Sequence, residues 1–176
     1  MINKVYITGF MGSGKTTTGK KLAAILGWKF IDLDQEIEKA EGKPVPLIFS
    51  ENGEDYFRKI EAEMLRNIKT GSNAVISAGG GTPCFHGNMD YMLSTGTVVY
   101  LKLEPQQILS RLRTGREERP LIKDIPAGDL PGFIAAKLSE REKYYNMAQI
   151  IVSGYDVDIY KLADKISDST ISGAEK

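Results

Sequence analysis

The sequence predicts a single α/β domain built on an open, parallel β-sheet. Two observations lead to this prediction. Short apolar and β-branched runs alternate with longer helical patterns along nearly all of the 176 residues. The stretches between these runs are long enough to hold a crossover helix, which parallel strands require. In such a sheet ligands bind at the carboxyl ends of the strands, so catalytic and ligand-binding residues are expected there.

Five short apolar runs are the candidate strands. Each run has the almost continuous hydrophobic character of a strand that is buried on both faces. The predicted strands are residues 4–8, 29–33, 73–77, 97–103 and 149–152. The predicted helices are residues 14–26, 33–41, 54–69, 88–94, 105–113, 132–146 and 156–167.

Two segments do not follow this alternation. Residues 114–130 are dense in charge, glycine and proline and have no clear period, which predicts a mobile lid over an active site. Residues 169–176 are small and polar, which predicts a disordered tail. We therefore expect one domain over residues 1–168.

Composition and charge exclude several classes of protein. The chain has 23 basic and 23 acidic residues, so it lacks the basic excess of a protein that grips nucleic acid by its phosphates. No apolar run approaches the ~20 residues that span a bilayer, and the N-terminus enters a strand pattern directly. Cys84 is the only cysteine and His86 the only histidine, which excludes disulfides, cysteine zinc sites and multi-histidine metal sites. We expect a cytoplasmic protein that binds neither nucleic acid nor membrane.

The strongest motif is the segment GFMGSGKT at residues 9–16, which matches the phosphate-binding loop pattern G-x-x-x-x-G-K-[ST]. It follows the first predicted strand and opens the first predicted helix, so its N–H groups and the helix dipole face an anion. Gly12 and Gly14 permit a tight turn, Lys15 can reach the β- and γ-phosphates, and the Thr16 hydroxyl can ligate Mg²⁺. A nucleoside triphosphate site is predicted; a glycine-rich turn that only caps a helix is the alternative.

Two carboxylates follow the second predicted strand, in the segment FIDLD. Alternation places Asp32 and Asp34 on the same side of that strand, about 7 Å apart. One carboxylate could then sit near the metal while the other reaches a hydroxyl acceptor. The alternative is that Asp34 caps the helix that starts there, and the spacing does not decide between the two.

Two arginines suggest a second, anionic ligand. Arg141 lies on the same helical stripe as Leu138 and Tyr145, and a guanidinium on an inward stripe needs an anionic partner or an escape to solvent. Arg58 lies on another apolar-striped helix, where Glu61 could simply pair with it. Arg119, in the predicted lid, could be an ordinary solvated charge.

Together these residues resemble the shikimate kinase family. The resemblance runs from about residue 4 to residue 152 and rests on the order and spacing of its parts. The parts are the segment 9–16, Asp32 with Asp34, Phe57 and Arg58 with Glu61, the glycines Gly79, Gly80 and Gly81, the lid residues Arg119, Pro120 and Leu121, and Arg141 with Tyr145.

The resemblance implies a fold and a reaction. The fold is a three-layer α/β/α P-loop kinase sandwich with a five-stranded parallel sheet and a lid. The reaction transfers the γ-phosphoryl group of ATP, with Mg²⁺, to the 3-hydroxyl of shikimate on the route to chorismate and the aromatic amino acids. The family also suggests a monomer. A related small-molecule kinase, such as one that acts on gluconate, is the alternative.

The resemblance also implies a role for each site residue. The catalytic set is Asp34, as candidate base, with Lys15 and Arg119. The ATP-binding set is Gly12, Ser13, Gly14, Lys15, Thr16, Thr17, Arg119 and Arg113, the last against adenine. The substrate-binding set is Asp34, Arg58, Gly79, Gly80, Gly81 and Arg141. Thr16 and Asp32 are the metal residues. Phe49 and Phe57 match apolar walls of the substrate pocket, and residues 82–86 match no part of the pattern.

Overall fold

A five-stranded parallel sheet forms the centre of the computed structural model, which describes residues 3–68, 71–113, 121–153 and 156–172. The strands are β1 (Lys4–Thr8), β2 (Lys29–Asp32), β3 (Ala74–Ser77), β4 (Thr97–Lys102) and β5 (Ile150–Ser153). Their order across the sheet is β2-β3-β1-β4-β5, and every neighbouring pair is parallel. The predicted sheet is therefore confirmed.

Helices connect the strands as the crossover rule requires. They are α1 (Lys15–Leu26), α2 (Leu33–Glu41), α3 (Val45–Asn67), α4 (Asn88–Thr95), α5 (Pro105–Leu112), α6 (Leu130–Tyr145) and α7 (Ile159–Ser172), with a 3₁₀ helix at Thr82–Cys84. Among the helices that the structure describes, none is long and apolar enough to cross a membrane.

Alternation along the strands produces the three layers. Val5 and Ile7 of β1 face one side of the sheet, where they pack with Leu22 of α1 and Leu162 of α7. Tyr6, between them, faces the larger core that α3, α4, α5 and α6 cover from the other side. Helices therefore cover both faces of the sheet, and the predicted α/β/α sandwich is confirmed.

The strand register brings three strand ends together. Ser77 at the end of β3 is paired with Ile7 of β1 on one side and with Asp32 of β2 on the other. The chain segments that follow these strands therefore emerge next to one another at the carboxyl edge of the sheet. They are the phosphate-binding loop, the start of α2 and the triple glycine.

One helix starts earlier than the sequence predicted. α3 begins at Val45, not at residue 54, and it continues past Gly53, whose φ of 82° is not helical. The left-handed backbone at Gly53 puts a kink between two helical stretches, and the predicted helix covered only the second of them. The first stretch carries Ile48, which is fully buried.

Other boundaries shift by a few residues. α6 begins at Leu130, and Ile122 is fully buried, so part of the segment predicted as a lid packs into the core. α7 ends at Ser172, within the segment that we expected to be disordered. Residues 114–120 and 173–176 lie outside the described residues.

Two glycines inside helices allow a test of this packing. An alanine methyl at Gly19 on α1 would lie 2.7 Å from Cε2 of Phe30, whereas nothing lies within 4 Å of the same position at Gly132 on α6. Gly132→Ala should raise the free energy of unfolding by about 0.5–1 kcal/mol, the usual helix gain. Gly19→Ala should lower it by about 1–3 kcal/mol through overpacking. Urea unfolding measures both, and an equal gain in the two variants would contradict the packing of α1 on β2.

Candidate active site

A cavity of about 390 Å³ opens at the carboxyl edge of the sheet. Many of the residues that the sequence singled out line it. They are Gly12, Lys15, Thr16, Asp32, Asp34, Arg58, Gly79, Gly80, Gly81 and Arg141, with Phe49 and Phe57 among the apolar walls. The structure therefore brings the predicted phosphate loop and the predicted acceptor residues into one space.

The phosphate-binding loop has the backbone that its glycines predict. Gly12 and Gly14 have φ values of 81° and 92°, which glycine adopts without strain. Gly14 is the N-cap of α1 and supplies no side chain to bond the first helical N–H groups. Nζ of Lys15 donates to the carbonyl oxygens of Gly9 and Phe10, 3.0 Å from each, and so closes the loop. The N–H groups and the helix dipole face the cavity, as an anion site requires.

Ser13, in the same loop, is 6% exposed. Its Oγ has no hydrogen-bond partner within the described part of the chain. A buried hydroxyl without a partner is uncommon, because its desolvation is not compensated. This hydroxyl fits the predicted contact with ATP.

Thr16 and Asp32 meet at the cavity wall. Oγ1 of Thr16 donates to Oδ2 of Asp32 at 2.9 Å, and Oδ1 of Asp32 accepts the N–H of Asp34 at 3.2 Å. A hydroxyl and a carboxylate are the hard oxygen donors that Mg²⁺ takes, and this ion ordinarily keeps several waters. The pair therefore fits the predicted metal. No cluster of three or more acidic, histidine or cysteine side chains able to hold a metal occurs among residues 3–68, 71–113, 121–153 and 156–172.

The prediction that Asp32 and Asp34 lie on the same side of one strand is wrong. β2 ends at Asp32, and Asp34 lies in the first turn of α2. The alternative, that Asp34 caps the helix, is also wrong. Asp32 is the N-cap of α2, and its side chain accepts the N–H of Asp34. Both carboxylates still reach the cavity, since α2 starts directly where the strand ends.

The carboxyl group of Asp34 has an altered acidity. Its pKa is raised from 3.8 to about 6. Burial is the largest cause, and the nearby carboxylates of Glu61 and Asp32 also raise the pKa, while Lys15 and Arg58 lower it. Because this pKa lies close to neutral pH, Asp34 can exchange a proton in the working range of a general base.

Arg58 is both an ion-pair partner and a cavity residue. Nη1 donates to Oε2 of Glu61 and Nη2 donates to Oε1 of Glu54, each at 2.9 Å. Arg58 is 4% exposed and Glu61 is 1% exposed, so this is a buried pair. The guanidinium also lies over the ring of Phe85, 4.5 Å from the ring centroid. Pairing therefore fixes Arg58 at the cavity wall instead of removing it from the site.

The guanidinium of Arg141 is buried, so the alternative that it extends into solvent is wrong. It is 4% exposed, and its Nη1 has no hydrogen-bond partner among the residues that the structure describes. Its guanidinium lies over the ring of Phe10, 5.5 Å from the centroid. A buried guanidinium N–H at a cavity wall is strongly favoured to bind an anion there.

The three glycines are required by the side chains around them. A Cβ at Gly79 would lie 2.9 Å from both Oε1 of Glu61 and Oγ1 of Thr82, and a Cβ at Gly81 would overlap the Arg58 guanidinium. At Gly80 a Cβ would lie 3.2 Å from the backbone nitrogen of Met11. Only glycine lets this segment run between the buried charges, and it leaves bare backbone at the cavity.

Some predicted ATP residues are not brought to the cavity. Thr17 is exposed on α1, and Arg113 is exposed at the C-terminal end of α5. Arg119 lies outside the described residues. Arg111, which the sequence analysis passed over, donates from Nη1 to the carbonyl oxygen of Gly12 at 3.2 Å. Its position three residues after the buried Ile108 is the signal that could have indicated an inward guanidinium.

Sequence reasoning also missed one wall of the cavity. Val45 and Pro46 of α3 line it together with Glu38 of α2, whose Oε1 accepts the N–H of Val45 at 2.8 Å. The sequence analysis assigned no helix or strand to residues 42–53. The spacing of Val45, Ile48 and Phe49 is helical and was the available signal.

Comparison with known proteins identifies the family. A family model described as shikimate kinase matches residues 11–170. The chain belongs to the shikimate kinase family. A shikimate kinase from Parabacteroides distasonis is 43% identical over 149 residues, which are 85% of this chain and 86% of the relative.

Solved shikimate kinases have the same fold. The Bacteroides thetaiotaomicron enzyme superimposes with a TM-score of 0.85 at 36% identity, covering 97% of this chain and 99% of that one. The Acinetobacter baumannii enzyme, crystallised in complex with shikimate, gives a TM-score of 0.85 at 30% identity, covering 100% and 97%. The predicted family, the P-loop kinase fold and the class of ATP-dependent kinase are confirmed.

The raised pKa of Asp34 predicts a stability change in this shikimate kinase family member. The folded state holds the Asp34 proton more tightly than the unfolded state, so the carboxyl group costs stability as pH rises from about 4 to about 6. Asp34→Asn should therefore raise the free energy of unfolding at pH 8 by about 1–3 kcal/mol, with a smaller gain at pH 4. Urea unfolding at both pH values measures this, and Asp55→Asn, on an exposed residue, controls for the lost charge. A gain at pH 4 as large as that at pH 8 would contradict the prediction.

Proposed function

We propose that this protein transfers the γ-phosphoryl group of ATP to the 3-hydroxyl of shikimate. One observation carries the proposal: a phosphate loop, the carboxyl group of Asp34 and two buried arginines line the same cavity. A phosphate donor and a carboxylated hydroxy acid can thus meet in one space. Family membership supports this assignment over a gluconate kinase, whose acceptor would meet the same phosphate loop.

At the donor end, the backbone N–H groups of residues 12–16 bind the phosphates. Lys15 lies in the same cavity wall and adds a positive charge near the β- and γ-phosphates. Thr16 and, through water, the Asp32 carboxylate would hold Mg²⁺, which would neutralise charge on the phosphate oxygens. Ser13 supplies a further hydroxyl. Thr17, Arg113 and Arg119 are assigned to ATP binding on the family resemblance alone.

At the acceptor end, Arg58 and Arg141 hold the carboxylate. A guanidinium offers two parallel N–H groups to a planar anion, which the single point charge of a lysine cannot do. Nη1 of Arg141, which has no hydrogen-bond partner in the part of the chain that the structure describes, supports this role most directly. The backbone of Gly79, Gly80 and Gly81 lets the ring of the acid lie close to the protein, and a cavity of about 390 Å³ suits so small a ligand.

The chemical step follows from these positions. The oxygen of the 3-hydroxyl attacks the γ-phosphorus while the bond from that phosphorus to the bridging oxygen of ADP breaks. The hydroxyl proton passes to a carboxylate oxygen of Asp34, which lies beside the glycine segment at the cavity wall. The altered pKa of Asp34 makes this carboxylate a better proton acceptor than an ordinary surface aspartate.

We also propose a setting for this reaction. The chain acts as a monomer, and it acts in the cytoplasm. Size-exclusion chromatography with light scattering tests the first point, and a dimer would contradict it.

The deciding experiment is a coupled assay of ADP release with shikimate, gluconate and other hydroxy acids as acceptors. Shikimate should give the highest kcat/KM, and chelation of Mg²⁺ should abolish turnover. Asp34→Asn should bind ATP normally but lower kcat by a factor of about 10²–10⁴, the usual contribution of a general base. Near-normal turnover in this variant would remove Asp34 from the reaction, and a preference for gluconate would overturn the proposed substrate.

The guanidinium of Arg141 gives a separate prediction. Arg141→Lys should raise the KM for shikimate about 10- to 100-fold, because a bidentate contact to the carboxylate is lost, while the KM for ATP changes less than about twofold. Steady-state kinetics with each substrate varied measures the two constants. Lys143→Ala, on the exposed face of the same helix, is the matched control for loss of a positive charge. Equal changes in both constants would indicate that Arg141 only packs.

A further inference from the structure

We propose that Thr82 is a positioning residue for Arg58 and acts through the carboxylate of Glu61. The inference rests on the proposed function in one respect, that Arg58 binds the carboxylate of the acceptor. Thr82 belongs to the segment after the triple glycine that the sequence pattern left without a role. It contacts neither reacting group in this proposal, and its effect is on the orientation of a guanidinium.

Glu61 divides its two oxygens between two partners. Oε2 accepts Nη1 of Arg58 at 2.9 Å, and Oε1 accepts the hydroxyl of Thr82 at 2.5 Å. Thr82 is fully buried, and water therefore cannot replace its hydroxyl. A carboxylate with one partner on each oxygen is fixed in its rotation as well as in its position. Without the Thr82 hydroxyl, Oε1 would be an unsatisfied buried acceptor, and the carboxylate would turn toward Arg58.

The backbone of Thr82 is held by a second hydrogen bond, from the side chain of Asn88. Nδ2 of Asn88 donates to the carbonyl oxygen of Thr82 at 2.9 Å, and Oδ1 of Asn88 accepts Nη1 of Arg66 at 2.6 Å. Nη2 of Arg66 donates to the carbonyl oxygen of His86 at 2.7 Å. Arg66 lies on α3, the helix that also carries Arg58 and Glu61. The segment 82–88 is therefore bonded to α3 at two places, once through Glu61 and once through Arg66.

The same segment also supplies the surface under the guanidinium. The ring of Phe85 lies under Arg58, 4.5 Å from its Cζ, so the segment contacts both the acidic partner and the face of this arginine. Loosening the link between Thr82 and Glu61 would therefore let these two supports of Arg58 move, while its bond to Glu54 remains. The expected result is a guanidinium that remains buried but no longer points its N–H groups at the acceptor.

Kinetics of two substitutions test this role. Thr82→Val keeps the shape and removes the hydroxyl, and it should raise the KM for shikimate about tenfold, the typical effect of losing one hydrogen bond to a charged group. The KM for ATP should stay within about twofold. Thr82→Ser keeps the hydroxyl and should restore the KM for shikimate. If Thr82→Val does not fold, Thr82→Ala takes its place.

Thr95→Val is the control for loss of a hydrogen-bonded, partly buried threonine hydroxyl. The Thr95 hydroxyl donates to the carbonyl oxygen of Tyr91 at 2.7 Å, away from the cavity. This variant should lower the melting temperature without changing the KM for shikimate. Equal changes in both KM values for Thr82→Val, or no rescue by serine, would overturn the proposal.

A double-mutant cycle separates this inference from the proposed function. Arg58→Lys alone should raise the KM for shikimate, and Thr82→Val should then add less than about twofold, because its effect passes through Arg58. Full additivity would overturn the positioning role while leaving the role of Arg58 intact. An unchanged KM in Arg58→Lys alone would instead refute the proposed carboxylate contact, and the inference would fail with it.

Discussion

The buried carboxylate of Glu61 is the group on which the acceptor half of the cavity depends. It accepts hydrogen bonds from Arg58 and Thr82, it lies where a side chain on Gly79 would have to go, and its charge contributes to the raised pKa of Asp34. Removing one partner of such a buried pair ordinarily costs about 3–5 kcal/mol, because the other charge stays buried without compensation. One carboxylate thus links the orientation of a guanidinium, the need for glycine and the acidity of the candidate base.

The donor half rests on backbone geometry instead of side-chain charge. Gly12 and Gly14 adopt left-handed conformations that few other residues tolerate, and they turn the chain so that the first N–H groups of α1 face the cavity. Arg111 supports this turn from α5 through its bond to the carbonyl oxygen of Gly12. The two halves therefore differ in kind: backbone N–H groups and a helix dipole form the proposed phosphate site, whereas buried guanidinium groups form the proposed acceptor site.

Sheet register brings these halves together. β1 and β3 are neighbours, β2 lies beyond β3, and Ser77 is level with both Ile7 and Asp32. The phosphate loop, the glycine segment and the aspartates consequently leave the sheet at the same height. Family membership and the similarity to solved shikimate kinases are consistent with this arrangement over almost the whole chain. The remainder of the molecule is a conventional apolar core that holds the strand ends in place.

The sequence by itself determined the sheet, the phosphate loop and many of the residues that line the cavity, because hydrophobic periodicity and glycine spacing are local properties of the chain. It could not determine that Arg58 would be paired and still face the cavity, that Asp32 and not Asp34 would cap α2, or that α3 would start at Val45. Those outcomes depend on which residues meet across the sheet edge, and Glu61 and Thr82 are 21 positions apart. Only the tertiary structure decided them, since a buried charge is stabilised by whatever partners the fold places next to it.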